Sequence, residues 1–373
     1  MDINNVFIDF LQYSIGTRKE APIIPDEKSW LGIYQLAKSQ TLVGIFFDGI
    51  SRLQQVPKPI LYNWLNEAEQ IRRSNMHLNK TAAKIFARLQ KDQVKCCILK
   101  GQGNTLMYPN PYTRTPGDID IWINARRGEI EKYICTNFDL EEKIVLQHAS
   151  TKIDGVEVEL HFFPNMCTNP LYNHRWQKWF HTQAAQQCNH FVDLPDGAGS
   201  IAIPTPSFNV IYQLCHMQHH FFDEGLGLRQ VVDYFYVLKK YHEESINNQT
   251  DILSKESISQ LLRHLGLRKF AGAMMYLQHE ILGIDKECLI APVDEERGKL
   301  LLGEILNAGN FGRSDTKYGN LTQQKMARKF FTKTWRVIHF ARLFPEESLC
   351  EPIFRVYHFG WRLYTNRIKK HFR

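Results

Sequence analysis

The chain has 373 residues, 43% apolar and 23% charged, with a formal net charge of +7. That is the composition of a soluble globular protein with a sizeable core, and no run of eighteen apolar residues predicts a transmembrane helix. Met1-Asp2-Ile3-Asn4-Asn5 lacks the basic and apolar regions of a signal peptide. The eight cysteines show no CxxC spacing, and several (Cys96 or Cys97, Cys215) fall on predicted buried faces, the usage of a reducing compartment. A cytoplasmic protein is expected. The charge is uneven: residues 325–373 hold twelve Lys/Arg against three Glu, a net +9, leaving −2 for residues 1–324.

Residues 1–93 read as an N-terminal helical region. Apolar residues at Trp30, Ile33, Tyr34 and Ala37 have helical spacing, as do Trp64, Leu65, Ile71, Leu78, Ala82, Ile85, Phe86 and Leu89 within Leu61–Gln90. Pro57 and Pro59 separate the two stretches. No chemistry is evident here, and the region is expected to pack on the αβ segment C-terminal to it.

Residues 94–200 carry the αβ pattern. Val94–Leu99 reads as a buried strand running into Lys100-Gly101-Gln102-Gly103, where glycine permits a sharp turn and close approach to a ligand. Gly117–Ile123 alternates as a strand, with Asp118 and Asp120 on one face and Ile119, Ile121 and Ile123 on the other. Two carboxylates at i, i+2 on a half-buried strand repel, and a cation between them resolves the conflict; hard oxygen ligands suit Mg²⁺ better than zinc. The plainer alternative is an edge strand with an acidic outer face. Arg126–Tyr133 is predicted as a crossover helix. Ile144–Ile153 and Val156–Phe162 read as strands joined at Asp154-Gly155, a hairpin turn signal. In the second strand Glu157, Glu159 and His161 share one face, so a neighbouring strand supplies a third carboxylate. Trp176–Gln187 is predicted as the next helix, and Pro195-Asp196-Gly197-Ala198-Gly199 reads as a turn between strands or domains.

Leu-Lys-Gly at 99–101, Tyr108-Pro109, Arg114, Asp118-Ile119-Asp120 and Glu159-Leu160-His161 resemble the nucleotidyltransferase superfamily with a polymerase-beta-like palm, and within it a bacterial branch described as uncharacterised nucleotidyltransferases. The resemblance is clear over about residues 94–163 and weaker to about 240. It departs at Gln102, which stands where the pattern has Gly or Ser; Gly103-Asn104 is the alternative pair. It implies an α+β fold: a small mixed sheet with flanking helices, the palm, between N-terminal and C-terminal helical regions. It also implies an enzyme that moves an NMP from an NTP, ATP among them, to an acceptor with release of pyrophosphate. Asp118, Asp120 and Glu159 would be catalytic and metal-binding, holding two Mg²⁺ ions, or Mn²⁺, about 3.5–4 Å apart. Glu157 is the reserve third carboxylate. Lys100, Gly101, Gln102, Gly103, Asn104 and Arg114 would bind the nucleotide, and His161 would orient Glu159, touch substrate, or simply be a satisfied strand histidine.

Residues 201–373 form a predicted C-terminal helical domain. His216 and His220 lie at i, i+4, the spacing of a shared metal, but no third ligand accompanies them and core histidines are the preferred reading. Arg229 and Asp233, also at i, i+4, resemble residues of the same branch that face the cleft; the alternative is a surface ion pair. The basic segment interleaves its charges with aromatics. Nucleic-acid or anionic-membrane binding through residues 325–373 stands against the favoured alternative, a helix burying Met326, Phe330, Val337, Phe340 and Phe344. The acceptor is open among small molecule, protein and RNA. Two other readings remain: a palm that has lost catalysis and only binds, and a nucleic-acid binder working through its basic end.

Overall fold

A computed structural model describes residues 3–54, 56–140, 144–247, 252–310 and 326–371, without the side chains of 326–330, 362 and 364–371. Three helices open it, α1 Ile3–Ile15, α2 Glu27–Ser39 and α3 Val43–Ile50, before the long α4, Lys58–Lys91. Pro57 caps α4, where its missing N–H is harmless, and Pro59 sits in the first turn. Arg88 and Lys91 occupy the last turn, favourably placed on the helix dipole.

The sheet comprises β1 Cys96–Leu99, β2 Ile119–Ile123, β3 His148–Ile153 and β4 Val156–His161, in the order β1-β2-β4-β3. β2 and β4 are parallel, and the outer pairs are antiparallel. A short α5, Gly101–Thr105, comes after β1, and α6, Arg127–Asn137, crosses from β2 toward the hairpin. Asp154 and Gly155 both take positive φ, 51° and 82°, forming the two-residue turn that joins β3 to β4. After α7, Pro170–Gln187, a separate hairpin forms from β5 Phe191–Leu194 and β6 Gly199–Ala202, and residues 195–198 are its turn. The family-like α+β arrangement is thus present: a small mixed sheet flanked by helices.

The sheet is apolar on one side and polar on part of the other. Ile98, Ile119, Ile121, Val158 and Leu160 bury against Leu78, Ala82, Ile85, Phe86 and Leu89 of α4. On the opposite face Cys97, Leu99 and Trp122 join a larger core shared with α1, α3, α8 Pro206–Asp223 and α9 Leu228–Ile246. Trp122 stacks on Phe208 of α8 at 5.9 Å and 13°. Beside Trp122 that face turns acidic. The N-terminal and C-terminal helices also meet directly: Gln40 donates to Ile305 O at 3.0 Å and accepts from Leu228 N at 2.9 Å.

The remaining helices are α10 Lys255–His264, α11 Arg268–Tyr276, α12 Glu295–Ala308, α13 Met326–Ala341 and α14 Pro345–His371. No helix among the described residues is long and apolar enough to cross a membrane. Of the predicted aromatic stripe on α13, Phe340 and Phe344 are buried against Phe221 and Phe222. Val337 is half-buried, and the side chains of Met326 and Phe330 lie outside the described residues. Among the described side chains, the outward face of the α13–α14 pair is largely apolar. Phe331, Trp335, Ile338, Leu349, Ile353, Val356 and Phe359 are exposed. Four of the segment's cations turn to protein partners: Lys333 to Asp223, Arg336 to Phe221 O, Arg342 to Glu296 and Arg355 to Glu351.

One buried ion pair ties the loop before β2 to α9. Arg114 donates from Nε and Nη2 to the two Asp233 oxygens at 2.7 and 2.9 Å, and the Tyr108 hydroxyl donates to the same carboxylate at 2.7 Å. Removing one partner of such a pair strands a buried charge, which costs about 3–5 kcal/mol. Asp233→Ala is therefore expected to lower the chemical-denaturation free energy by about that much, and Arg114→Leu added to it should recover part of the loss.

Candidate active site

Register assembles the site. β2 runs parallel to β4 with Asp120 opposite Glu159 and Trp122 opposite His161. On the other side of β4, His161 faces His148 and Glu159 faces Ser150. Asp120, Glu159, His161 and His148 consequently share one face. Asp118 lies just ahead of β2 rather than within it, yet ligand oxygens of Asp118, Asp120 and Glu159 fall within 4.8 Å of one another. Three carboxylates from two strands and a loop, all at a cavity wall, suit the oxygen-rich shell of a hard divalent cation. The donor set fits a metal.

Lys100 and two imidazoles face those charges. Lys100 Nζ lies 2.9 Å from Asp120 Oδ2. His161 Nε2 reaches both Asp120 Oδ1, at 2.9 Å, and Glu159 Oε2, at 3.1 Å. His148 Nε2 is 3.3 Å from Glu159 Oε1. Burial opposes the charge of Asp120 most strongly, but Lys100 and His161 outweigh it and hold the carboxyl below its ordinary range. Glu159 is likewise lowered, His161 overcoming burial. Asp118 moves up, chiefly through the charge of Asp120 and then through burial. Burial pulls His161 down, yet its bonds to Asp120 and Glu159 win and raise it to about 9. Lys100 sits at φ 51°, an unusual conformation for a residue with a side chain. This sharp turn at the end of β1 accompanies its ion pair with Asp120.

A cavity of about 360 Å³ opens in front of this face. Lys100, Gly101, Arg114, Asp118, Asp120, Glu159, His161, His216, Arg229 and Asp233 all line it. Gln102, Gly103 and Asn104 turn away from it. Gln102 donates to Asn79 of α4, Asn104 accepts from Asn209 of α8, and a Cβ on Gly103 would come within 2.9 Å of Ile203. Glu157 pairs across the hairpin with Lys152 and is exposed, outside the carboxylate cluster. Arg229 and Asp233 are not paired with each other: Asp233 holds Arg114, and Arg229 Nη1 donates to Thr115 O at 3.1 Å. Burial and the charge of Arg114 lower Arg229 to about 10.

His216 and His220 stand edge to face with ring centres 4.3 Å apart. They belong to neither metal-sized cluster among the described residues. The sequence did not single out Gln147, His148, Asn165, Gln213, His219 or Gln230, which also line the cavity. Amides and neutral imidazoles carry no motif. His148 alone was within reach, through the register of its hairpin.

Burial pushes His216 well below the ordinary imidazole value, helped by Lys100, and takes His219 to about 4, helped by His220. A histidine lowered on folding stabilises fully above its unfolded value, about 6.5. That stabilisation is lost as pH falls toward the folded value, because the unfolded chain binds the proton first. The melting temperature should therefore drop between about pH 6.5 and pH 4, and His219→Gln should flatten that slope in a pH series of thermal melts.

A search of curated proteins finds no match. Among solved structures, an antigenic nucleotidyltransferase-like protein from Paracoccidioides brasiliensis aligns with 51% of this chain and 92% of its own, at 13% identity and a TM-score of 0.30. A likeness that slight carries no argument. The sequence matches the uncharacterised nucleotidyltransferase family over residues 26–283, a span that takes in the sheet, the cavity and both helices facing it. The chain belongs to that family and is a transferase enzyme.

Proposed function

We propose that the protein is a metal-dependent nucleotidyltransferase that moves an NMP from an NTP to an acceptor hydroxyl, with pyrophosphate as the leaving group. The observation that carries this reading is the convergence of Asp118, Asp120 and Glu159 within 4.8 Å at the wall of a 360 Å³ cavity. Divalent ions bound there would neutralise triphosphate charge and lower the pKa of the acceptor hydroxyl. Asp118 and Asp120 are the residues to hold them, with Glu159 completing the set or accepting the hydroxyl proton. Mg²⁺ is the expected ion, with Mn²⁺ as a substitute.

The chain's own groups do the rest by position and charge. Lys100 stands 2.9 Å from Asp120 at the cavity wall, where its ammonium would offset phosphate charge. Arg229, on the opposite wall, is the second cation facing the phosphates. Arg114 acts at one remove: its guanidinium is engaged by Asp233, so it fixes the loop that presents Asp118. Backbone contact with phosphate falls to Gly101, since residues 102–104 are buried elsewhere.

Asp118→Asn and Asp120→Asn are each expected to lower Mg²⁺-dependent pyrophosphate release by at least about 10²–10³-fold with an unchanged circular-dichroism spectrum. Glu159→Gln should fall in the same range, while Glu157→Gln stays within about twofold, since it lies outside the cluster. Incubation with α-labelled NTPs and a lysate identifies the acceptor by the molecule that becomes labelled. Full turnover in both Asp variants would refute the proposal, and nucleotide binding without any label transfer would favour a palm that only binds.

A further inference from the structure

Glu159 belongs to two clusters at once. One is the carboxylate set. The other is His148, Glu159 and His161, whose ligand atoms also lie within 4.8 Å of one another. The two imidazoles address different oxygens of the one carboxylate: His148 Nε2 lies 3.3 Å from Oε1, and His161 Nε2 lies 3.1 Å from Oε2. We infer that His148, Glu159 and His161 form a nitrogen-containing position for a first-row transition-metal dication such as Mn²⁺, beside the all-oxygen position of Asp118 and Asp120. The inference deepens the metal-dependent reading above and rests on it.

The chemistry separates the two positions. Mg²⁺ takes oxygen ligands and gives up water reluctantly. Imidazole nitrogen favours the transition-metal dications, whose affinity for such sites rises from Mn²⁺ through the later metals. Two imidazoles and a carboxylate on fixed strands are thus a selective set, and backbone pairing fixes it. The Asp154-Gly155 turn sets His148 opposite His161, and Glu159 lies two residues back on the same face of β4. Access is provided: His148 and Glu159 are each 24% exposed on their side chains, toward the cavity. A dication there would take the place of the proton that His161 Nε2 shares with Asp120 and Glu159.

The test is pulsed EPR of Mn²⁺ added to the metal-stripped full-length protein, with separate Mn²⁺ and Mg²⁺ titrations by calorimetry. Wild-type protein should show ¹⁴N modulation from coordinated imidazole. His148→Gln should reduce that modulation and weaken Mn²⁺ by at least about tenfold while Mg²⁺ affinity stays within about twofold. Bound Mn²⁺ without ¹⁴N modulation in the wild type overturns the inference, and that spectrum decides even if the variant fails to fold. Equal weakening of both metals in His148→Gln overturns it too. In either case the Asp118–Asp120 reading survives. Failure of the wild type to bind either metal would sink both.

Discussion

Asp120 and Glu159 stand opposite each other on adjacent parallel strands, and most of the architecture around the site answers that one juxtaposition. Like charges placed across a strand pair destabilise the pairing. At about 4 Å and an effective dielectric of about 20, two unit charges repel by about 4 kcal/mol. The fold keeps the pair because nitrogen groups are built in around it. The Lys100 and His161 cations come from the end of β1 and from β4 itself, and the His148 imidazole, which burial holds below its ordinary range, comes from β3. Each of the four strands therefore adds a charged or titratable group to the cluster or to its immediate approach.

Such a cluster needs a rigid frame, and two cores supply it. The isoleucine face of the sheet is clamped by α4, while Trp122 anchors the opposite face to α8 through Phe208. α4 serves both cores, with Trp64 in the larger and Leu78–Leu89 in the smaller. The loop leading into β2 has no strand partners to hold it. It is fixed by the Arg114–Asp233 pair and by Asn75 Nδ2, which donates to Arg114 O at 2.8 Å. Asp118 owes its place to those bonds, far from it in sequence.

Membership of a nucleotidyltransferase family gives the cleft its meaning, and the cleft's two walls divide the work. The sheet wall is acidic and suited to metal. The helical wall, from α8 and α9, offers imidazoles, amides and Arg229. Burial holds His216 and His219 below the ordinary imidazole range, so that wall presents hydrogen-bonding groups more than charge.

Much of this was legible in the residues themselves. Alternation put Asp120 and Glu159 on the polar faces of their strands, and Asp154-Gly155 marked the hairpin. A two-residue turn joining 153 to 156 also sets 148 against 161, so His148 could have been read from the turn alone. Local pattern could not choose between Glu157 and Glu159, because both share a face; the parallel register of β2 on β4 decided it. Nor could it show that Gln102, Gly103 and Asn104 face inward, since that depends on Asn79, Asn209 and Ile203, which approach from distant parts of the chain. Arg114 and Asp233 were each visible as charged residues, but their pairing across 119 positions belongs to the packing of α9 against the palm. Sequence periodicity reports which way a side chain points from its own strand or helix. What it points at is set by how those elements pack, and only the tertiary structure contains that.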